Sequence, residues 1–336
     1  LSLGLSLRAA ASRSVGCLVA VLALVLMSLS LTPAPARAQP QAVLDHIEPK
    51  SDRWAEVFVR SPAMGRVMQL DVLHPVAGTA PHPTLYLLDG DGATDQEAQS
   101  TWTRKSDIVQ FFADKTVNVV MSVGGPGSFY TDWLRDDPKL GHNRWETFLT
   151  QELPPLLDRL LDGNGRNAIA GESMGAQAAA TLAFRHPALY RAMAAYSGCL
   201  ISDKLDQATV RSAVTIKGGD PDNMWGTRSD PEWAAHDPSK HIEELRGKQI
   251  YLSTASGVPG RADFTYDPTA DYPEDTFNSI VLESLAHDCT TEFDADLRAH
   301  GVPATVRYTD FGTHSWPYWQ AALHDSWPIL AQGLDG

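Results

Sequence analysis

The chain has 336 residues, 43% of them hydrophobic, and its 27 Lys and Arg face 41 Asp and Glu, for a formal net charge of −14. A surface this acidic repels phosphate backbones, which excludes nucleic acid as a partner, and the length suits one large α/β domain or two small ones. Three cysteines (Cys17, Cys199 and Cys289), with no HExxH and no CxxC, make no structural zinc site, so no metal is expected.

In chain order, the first segment reads as a targeting signal. Arg8 and Arg13 precede an almost unbroken apolar run from Cys17 to Leu31, and PAPARA follows with Ala36 and Ala38 in the spacing that signal peptidase needs. Residues 1–38 are therefore predicted to be a secretory signal peptide, cut after Ala38, with residues 39–336 as a single secreted domain of the cell envelope or extracellular space. Without the leader the chain carries 24 basic and 41 acidic residues, a net charge of −17. Cys199 and Cys289 remain, and an exported protein with two cysteines is expected to join them in a disulfide.

Strands are predicted at 54–60, 66–73, 84–88, 117–123, 167–172, 191–197, 249–255 and 304–310. Helices are predicted at 106–114, 145–161, 174–185, 276–299 and 317–331. In the fourth of these Phe277, Ile280, Val281, Ser284, Leu285 and Asp288 fall at helical spacing, and Phe293 and Leu297 continue the stripe. Near-continuous apolar strands alternating with helices predict a mostly parallel central sheet of about eight strands, covered by helices on both faces. The first two strands have no helix between them and read as an antiparallel hairpin at one edge. Residues 199–247, rich in Asp, Pro and Gly, read as irregular and are expected to decorate the active face.

Several loops invite a chemical reading. LYLLDGDGATD (85–95) places Asp89, Asp91 and Asp95 after an apolar strand. A calcium loop starting at Asp89 needs Gly at its sixth position and Glu at its twelfth, where this chain has Thr94 and Ser100. GGPGS (124–128) lacks the G-K-[ST] of a phosphate loop, so no nucleotide is expected. Phe129, Tyr130 and Trp133 behind it either line a groove or pack in the core.

Gly171-Glu172-Ser173-Met174-Gly175 fits G-x-S-x-G between a predicted strand and a predicted helix, the context in which that motif presents a nucleophilic serine. A serine hydroxyl needs a base, usually His, and an acid that orients it. Of the histidines after Ser173 only His314 lies on a loop after the last strand. For the acid, Asp263, Asp267, Asp271, Glu274 and Asp275 follow strand 249–255, and Glu283 lies on the next helix; the local pattern favours Asp263.

Taken together, LYLLDG (85–90), VGGPGSFYTDW (123–133), WETFLTQELP (145–154), GESMGAQAAATLAFRHP (171–187), YSG (196–198) and GTHSWPYW (312–319) resemble the mycolyltransferases of the antigen 85 type over nearly the whole predicted mature chain. The resemblance implies an α/β-hydrolase fold without a cofactor. It also implies transfer of mycolyl chains from trehalose monomycolate to another trehalose monomycolate or to wall arabinan, so that trehalose mycolates and other envelope glycolipids are the partners. It places the nucleophile at Ser173, the base at His314 and, against the local preference, the acid at Glu283. The oxyanion donors become the amides of Asp91 and Met174. Asp89 matches a carboxylate near the sugar hydroxyls, and Trp316 a tryptophan beside the histidine. This sequence departs from the pattern at Asp91 and Gly92, where well-known members have an apolar residue and then arginine. A secreted carboxylesterase of the same fold is the alternative. A Cys199–Cys289 bridge would pin the helix that carries Glu283.

Overall fold

A computed structural model describes residues 41–75, 81–94, 98–201, 204–265 and 276–335. The predicted leader and Asp95, Asp267, Asp271, Glu274 and Asp275 lie outside the described residues. The described residues form a nine-stranded sheet in the order β1 (Val43–Pro49), β2 (Trp54–Ser61), β3 (Arg66–Leu73), β5 (Asn118–Ser122), β4 (His82–Leu88), β6 (Gly163–Glu172), β7 (Tyr190–Tyr196), β8 (Gln249–Ala255), β9 (Thr305–Thr309). From β5 to β9 every pairing is parallel, whereas β1, β2, β3 and β5 pair antiparallel.

Burial on both faces explains the near-continuous apolar strands. Leu85 and Leu87 of β4 and Ala168 and Ala170 of β6 pack into a core with Trp319, Leu323 and Leu330 of the C-terminal helix Trp316–Asp335. Their neighbours Tyr86, Leu88 and Ile169 face a second core, with Phe148, Leu153, Leu182, Phe293 and Leu297. Alternate residues of each strand thus serve opposite layers.

The hairpin β2–β3 forms as expected, but it is not the edge of the sheet, because β1 pairs outside it. VLDHIEP mixes charge and proline with apolar residues, and all seven positions of β1 are exposed. An edge strand that buries neither face leaves no period-two pattern to read. Region 199–247 also holds more structure than expected: Lys204–Ile216 is a helix, anchored by Val210 and Val214.

The helix Thr276–Ala299 spans the predicted residues, but its faces differ from expectation. Ser279, Glu283, Ala286 and Thr290 point inward, whereas Phe277, Val281, Leu282 and Leu285 are exposed. Only its last turns, with Phe293 and Leu297, bury the predicted apolar stripe. Among the inward residues, Glu283 meets polar partners at the ends of β7 and β8.

Candidate active site

The parallel strands direct their C-terminal ends to one edge of the sheet, where helices and loops take over. There β6 ends at Glu172, and Ser173 makes the turn into the helix Met174–Arg185 with φ +54° and ψ −119°. A side chain at Gly171 would meet the backbone of Gly175 and Ala176, and one at Gly175 the carbonyls of Leu88 and Asp89. The two glycines thus allow a sharp turn that holds a serine in a backbone region L-residues seldom adopt. Ser173 N–H donates to the Tyr196 carbonyl (2.9 Å).

Ser173 Oγ lies 2.8 Å from His314 Nε2, and His314 Nδ1 lies 2.9 Å from Glu283 Oε2. His314 comes from the loop after β9, fixed there by its amide donating to the Ser279 carbonyl (3.1 Å). Glu283 is 1% exposed. Its other oxygen, Oε1, accepts from Ser197 Oγ (2.9 Å), Thr254 Oγ1 (3.1 Å) and the Ala255 N–H (2.6 Å). A buried carboxylate needs such donors to remain charged without a large desolvation cost. With Nδ1–H donated to Glu283, Nε2 is left as the acceptor facing the serine hydroxyl. The Cys199–Cys289 disulfide (Cα–Cα 5.0 Å) ties the segment after β7 to the helix of Glu283.

Across the site, β4 runs into the loop Asp89-Gly90-Asp91-Gly92. The Gly90 N–H donates to the Glu172 carboxylate, and a side chain at Gly90 would collide with that same group. The Gly90 carbonyl accepts from Ala93 N–H (3.1 Å). Asp91 accepts from the Gly127 N–H (3.1 Å) and lies 3.5 Å from Lys217 Nζ. Burial pushes the Asp91 carboxyl up to about 6, against the opposing pull of Lys217. The amides of Asp91 and Met174 meet no acceptor among the described residues, as expected for a loop tip and for the first position of a helix.

Residues 61–329 match the model of a family described as putative esterase. The chain is 33% identical over 288 residues to the diacylglycerol acyltransferase/mycolyltransferase Ag85A of Mycobacterium tuberculosis, covering 82% of this chain and 80% of that protein. It is 33% identical to Ag85B of Mycobacterium avium, with 83% of each chain covered. The crystal structure of MPT51 from Mycobacterium tuberculosis superposes with a TM-score of 0.70 at 26% identity, covering 84% of this chain and 98% of that one. The chain belongs to the antigen 85 mycolyltransferase family. Its fold is that of the esterase-like α/β hydrolases.

Set against the antigen 85 pattern, the structure brings Ser173, His314 and Glu283 together and separates others. Asp263, the local choice for the acid, does not reach His314; it accepts from the Tyr318 hydroxyl (2.6 Å), the Gly260 N–H (2.8 Å) and Thr313 Oγ1. Asp89, matched to a sugar-binding carboxylate, is 1% exposed. Its two oxygens accept from Ser100 Oγ (2.7 Å) and the Thr101 N–H (3.0 Å), so it anchors the start of the helix Thr101–Lys105. Burial raises its carboxyl above the usual range. The tryptophan against His314 is Trp319, edge to face at 4.9 Å with its Nε1 donating to Ser197 Oγ (3.1 Å). Trp316 packs one ring further out, on Trp102 (5.1 Å) and Trp319 (5.3 Å). Phe129, Tyr130 and Trp133 are buried, and the Tyr130 hydroxyl accepts from the Asp89 N–H (3.2 Å), so these three pack in the core.

Sequence reasoning did not single out Glu172, Ser197, Thr254 or Lys217. Glu172 and Ser197 stand inside the quoted stretches GESMG and YSG, and a charged or polar side chain at the buried end of a parallel strand was the available signal. Lys217 reaches the site from a segment read as irregular, where no local pattern marks it.

Proposed function

We propose that this chain is a secreted serine acyltransferase that moves mycolyl groups from trehalose monomycolate to a second sugar hydroxyl, on trehalose monomycolate or wall arabinan. The observation that carries this reading is the Ser173–His314–Glu283 relay, with both hydrogen-bond distances under 3 Å. Glu283 holds His314 with Nε2 toward the serine. His314 accepts the Ser173 proton as Oγ bonds to the ester carbonyl carbon. The oxyanion is received by the Asp91 amide of the loop after β4 and the Met174 amide at the start of a helix, each such donor lowering the barrier by about 3 kcal/mol. The C–O bond to trehalose breaks, and the proton on His314 goes to the departing sugar oxygen. An acceptor hydroxyl then gives its proton to His314 as its oxygen bonds to the acyl carbon; the bond from that carbon to Ser173 Oγ breaks, and the proton on His314 returns to Oγ.

Secretion rests on the residues of the leader. The transferase reading rests on family membership, and the family's description as esterases keeps hydrolysis as the second reading. The test is purified Ser173→Ala protein with trehalose monomycolate and acceptor, followed by mass spectrometry. Transfer is expected to vanish, and full retained transfer overturns the assignment. With the wild-type protein, free mycolic acid as the sole product, with acceptor present, makes it a carboxylesterase.

A further inference from the structure

We propose that the side chains of Glu172 and Asp91 are positioning residues that fix the Asp91 amide in the direction the oxyanion requires. The inference rests on the acyl-transfer reading above and adds to it the device that aims one of its two donors.

The donor belongs to the peptide unit between Gly90 and Asp91. With glycine at 90 and again at 92, that unit sits in the most freely rotating part of the loop, and an unrestrained donor gives up much of its value to reorganisation. Three tethers remove that freedom. Behind the unit, Glu172 accepts the Gly90 N–H, while the missing Cβ of Gly90 lets the carboxylate come into contact. The loop can approach β6 no further without collision and cannot leave without taking this hydrogen bond from a buried carboxylate (3% exposed). Within the unit, the Gly90 carbonyl accepts the Ala93 N–H (3.1 Å), and in a trans peptide that turns the Asp91 N–H the opposite way. Ahead of the unit, the Asp91 carboxylate accepts the Gly127 N–H (3.1 Å) and faces Lys217 Nζ at 3.5 Å. The Lys217 stem lies along Gly127, where an added Cβ would stand 3.3 Å from its Cγ. Lys217 thus bridges the end of the helix Lys204–Ile216, the glycine loop and the oxyanion loop. The Asp91 side chain therefore matters to a donor that is itself backbone.

The test uses the mature chain with p-nitrophenyl butyrate, a small soluble ester, and a trifluoromethyl ketone that adds to the serine as a tetrahedral adduct. Glu172→Leu and Asp91→Ala remove the tethers; Glu172→Gln and Asp91→Asn keep a carbonyl acceptor. Losing a whole oxyanion donor costs about 100- to 1,000-fold in kcat, and a misaimed donor is expected to cost about 10- to 100-fold. The expected result is that loss in Glu172→Leu and Asp91→Ala with KM unchanged, ketone affinity falling by the same factor as kcat/KM, and most of it restored in Glu172→Gln and Asp91→Asn. Full kcat in folded Asp91→Ala and Glu172→Leu overturns the proposal, as does a loss of kcat/KM without a parallel loss of ketone affinity. Should Glu172→Leu not fold, Asp91→Ala, whose side chain is partly exposed, decides alone. An inert Ser173→Ala beside a fully active Asp91→Ala rejects the tethers and leaves the acyl-transfer reading standing.

Discussion

The two sides of the candidate site are built on opposite plans. On the histidine side, side chains reach side chains: Glu283 gathers donors from Ser197, Thr254, Ala255 and His314, and a disulfide holds its helix. On the proposed oxyanion side the groups offered to the substrate are backbone amides, and in the proposal above the side chains serve to aim them. The difference teaches where substitutions will be felt. A change at Glu283 strikes the chemistry directly, whereas one at Glu172 or Asp91 acts through the angle of a peptide. Glu283→Gln is the sharpest way to expose the contrast. It keeps the shape but upsets the imidazole tautomer, and the corresponding change in a serine triad costs about 10⁴-fold in kcat. A loss of that order, measured as kcat on a soluble ester, against a near-wild-type Glu172→Gln, is the expected outcome. Equal effects of the two would erase the distinction.

The disulfide is the next point of leverage, because only the histidine side has one. It closes a loop with a sequence separation of 90 residues, for which chain entropy gives about 4.6 kcal/mol. Replacing Cys199 and Cys289 together by serine is expected to lower stability by about 2–4 kcal/mol in urea titrations. Activity should survive at low temperature and be lost at lower urea than in the wild type. Should the pair-replaced protein match the wild type in denaturant, the bridge does nothing to hold the acid in place.

What was legible in the sequence follows the same divide. The nucleophile turn was readable because Gly171 and Gly175 are demanded by backbone collisions that any residue with a Cβ would suffer. His314 was readable from its place after the last strand. The local pattern favoured Asp263 and only the family resemblance named Glu283, because a helix that carries this carboxylate inward and Phe277 and Val281 outward inverts the pattern by which faces are assigned. The surroundings of Asp89 were hidden for the complementary reason. A carboxylate beside the predicted oxyanion loop invites a sugar, yet Ser100 and Thr101, more than ten positions away, had already claimed both oxygens. Strand β1 escaped because an exposed edge imposes no period. Long-range partners of buried polar groups are what a single sequence conceals.

Asp89 offers a third test of the comparison. If it is structural, Asp89→Ala strands the Ser100 hydroxyl and the Thr101 amide and costs about 1–3 kcal/mol in stability. KM for the sugar acceptor should not move. A raised acceptor KM at unchanged stability would return Asp89 to the binding site and make the oxyanion side chemically active after all.

The smallest expected effect lies beneath the oxyanion side, at Asp71. One oxygen accepts from the Ser100 N–H (3.0 Å) and Thr103 Oγ1 (2.6 Å), while the other has no partner among the described residues. Burial is the main reason its carboxyl is pushed up to about 6, and Glu56 and Asp89 add to the shift. Because the folded value exceeds the unfolded one, this group's contribution to stability is complete below about pH 4 and is lost as pH rises through about 6. At pH 7.5 the fold therefore carries a buried charge it would rather protonate. Asp71→Asn keeps an acceptor for Ser100 and Thr103 and removes that charge. It is expected to add about 1–2 kcal/mol at pH 7.5, less whatever its new amide loses by lacking an acceptor, and the gain should fade toward pH 4. Thermal melts of both proteins across that range measure it. A gain independent of pH would mean that packing, not charge, sets the effect. In that case the oxyanion side would be as fully compensated as the carboxylate that holds His314.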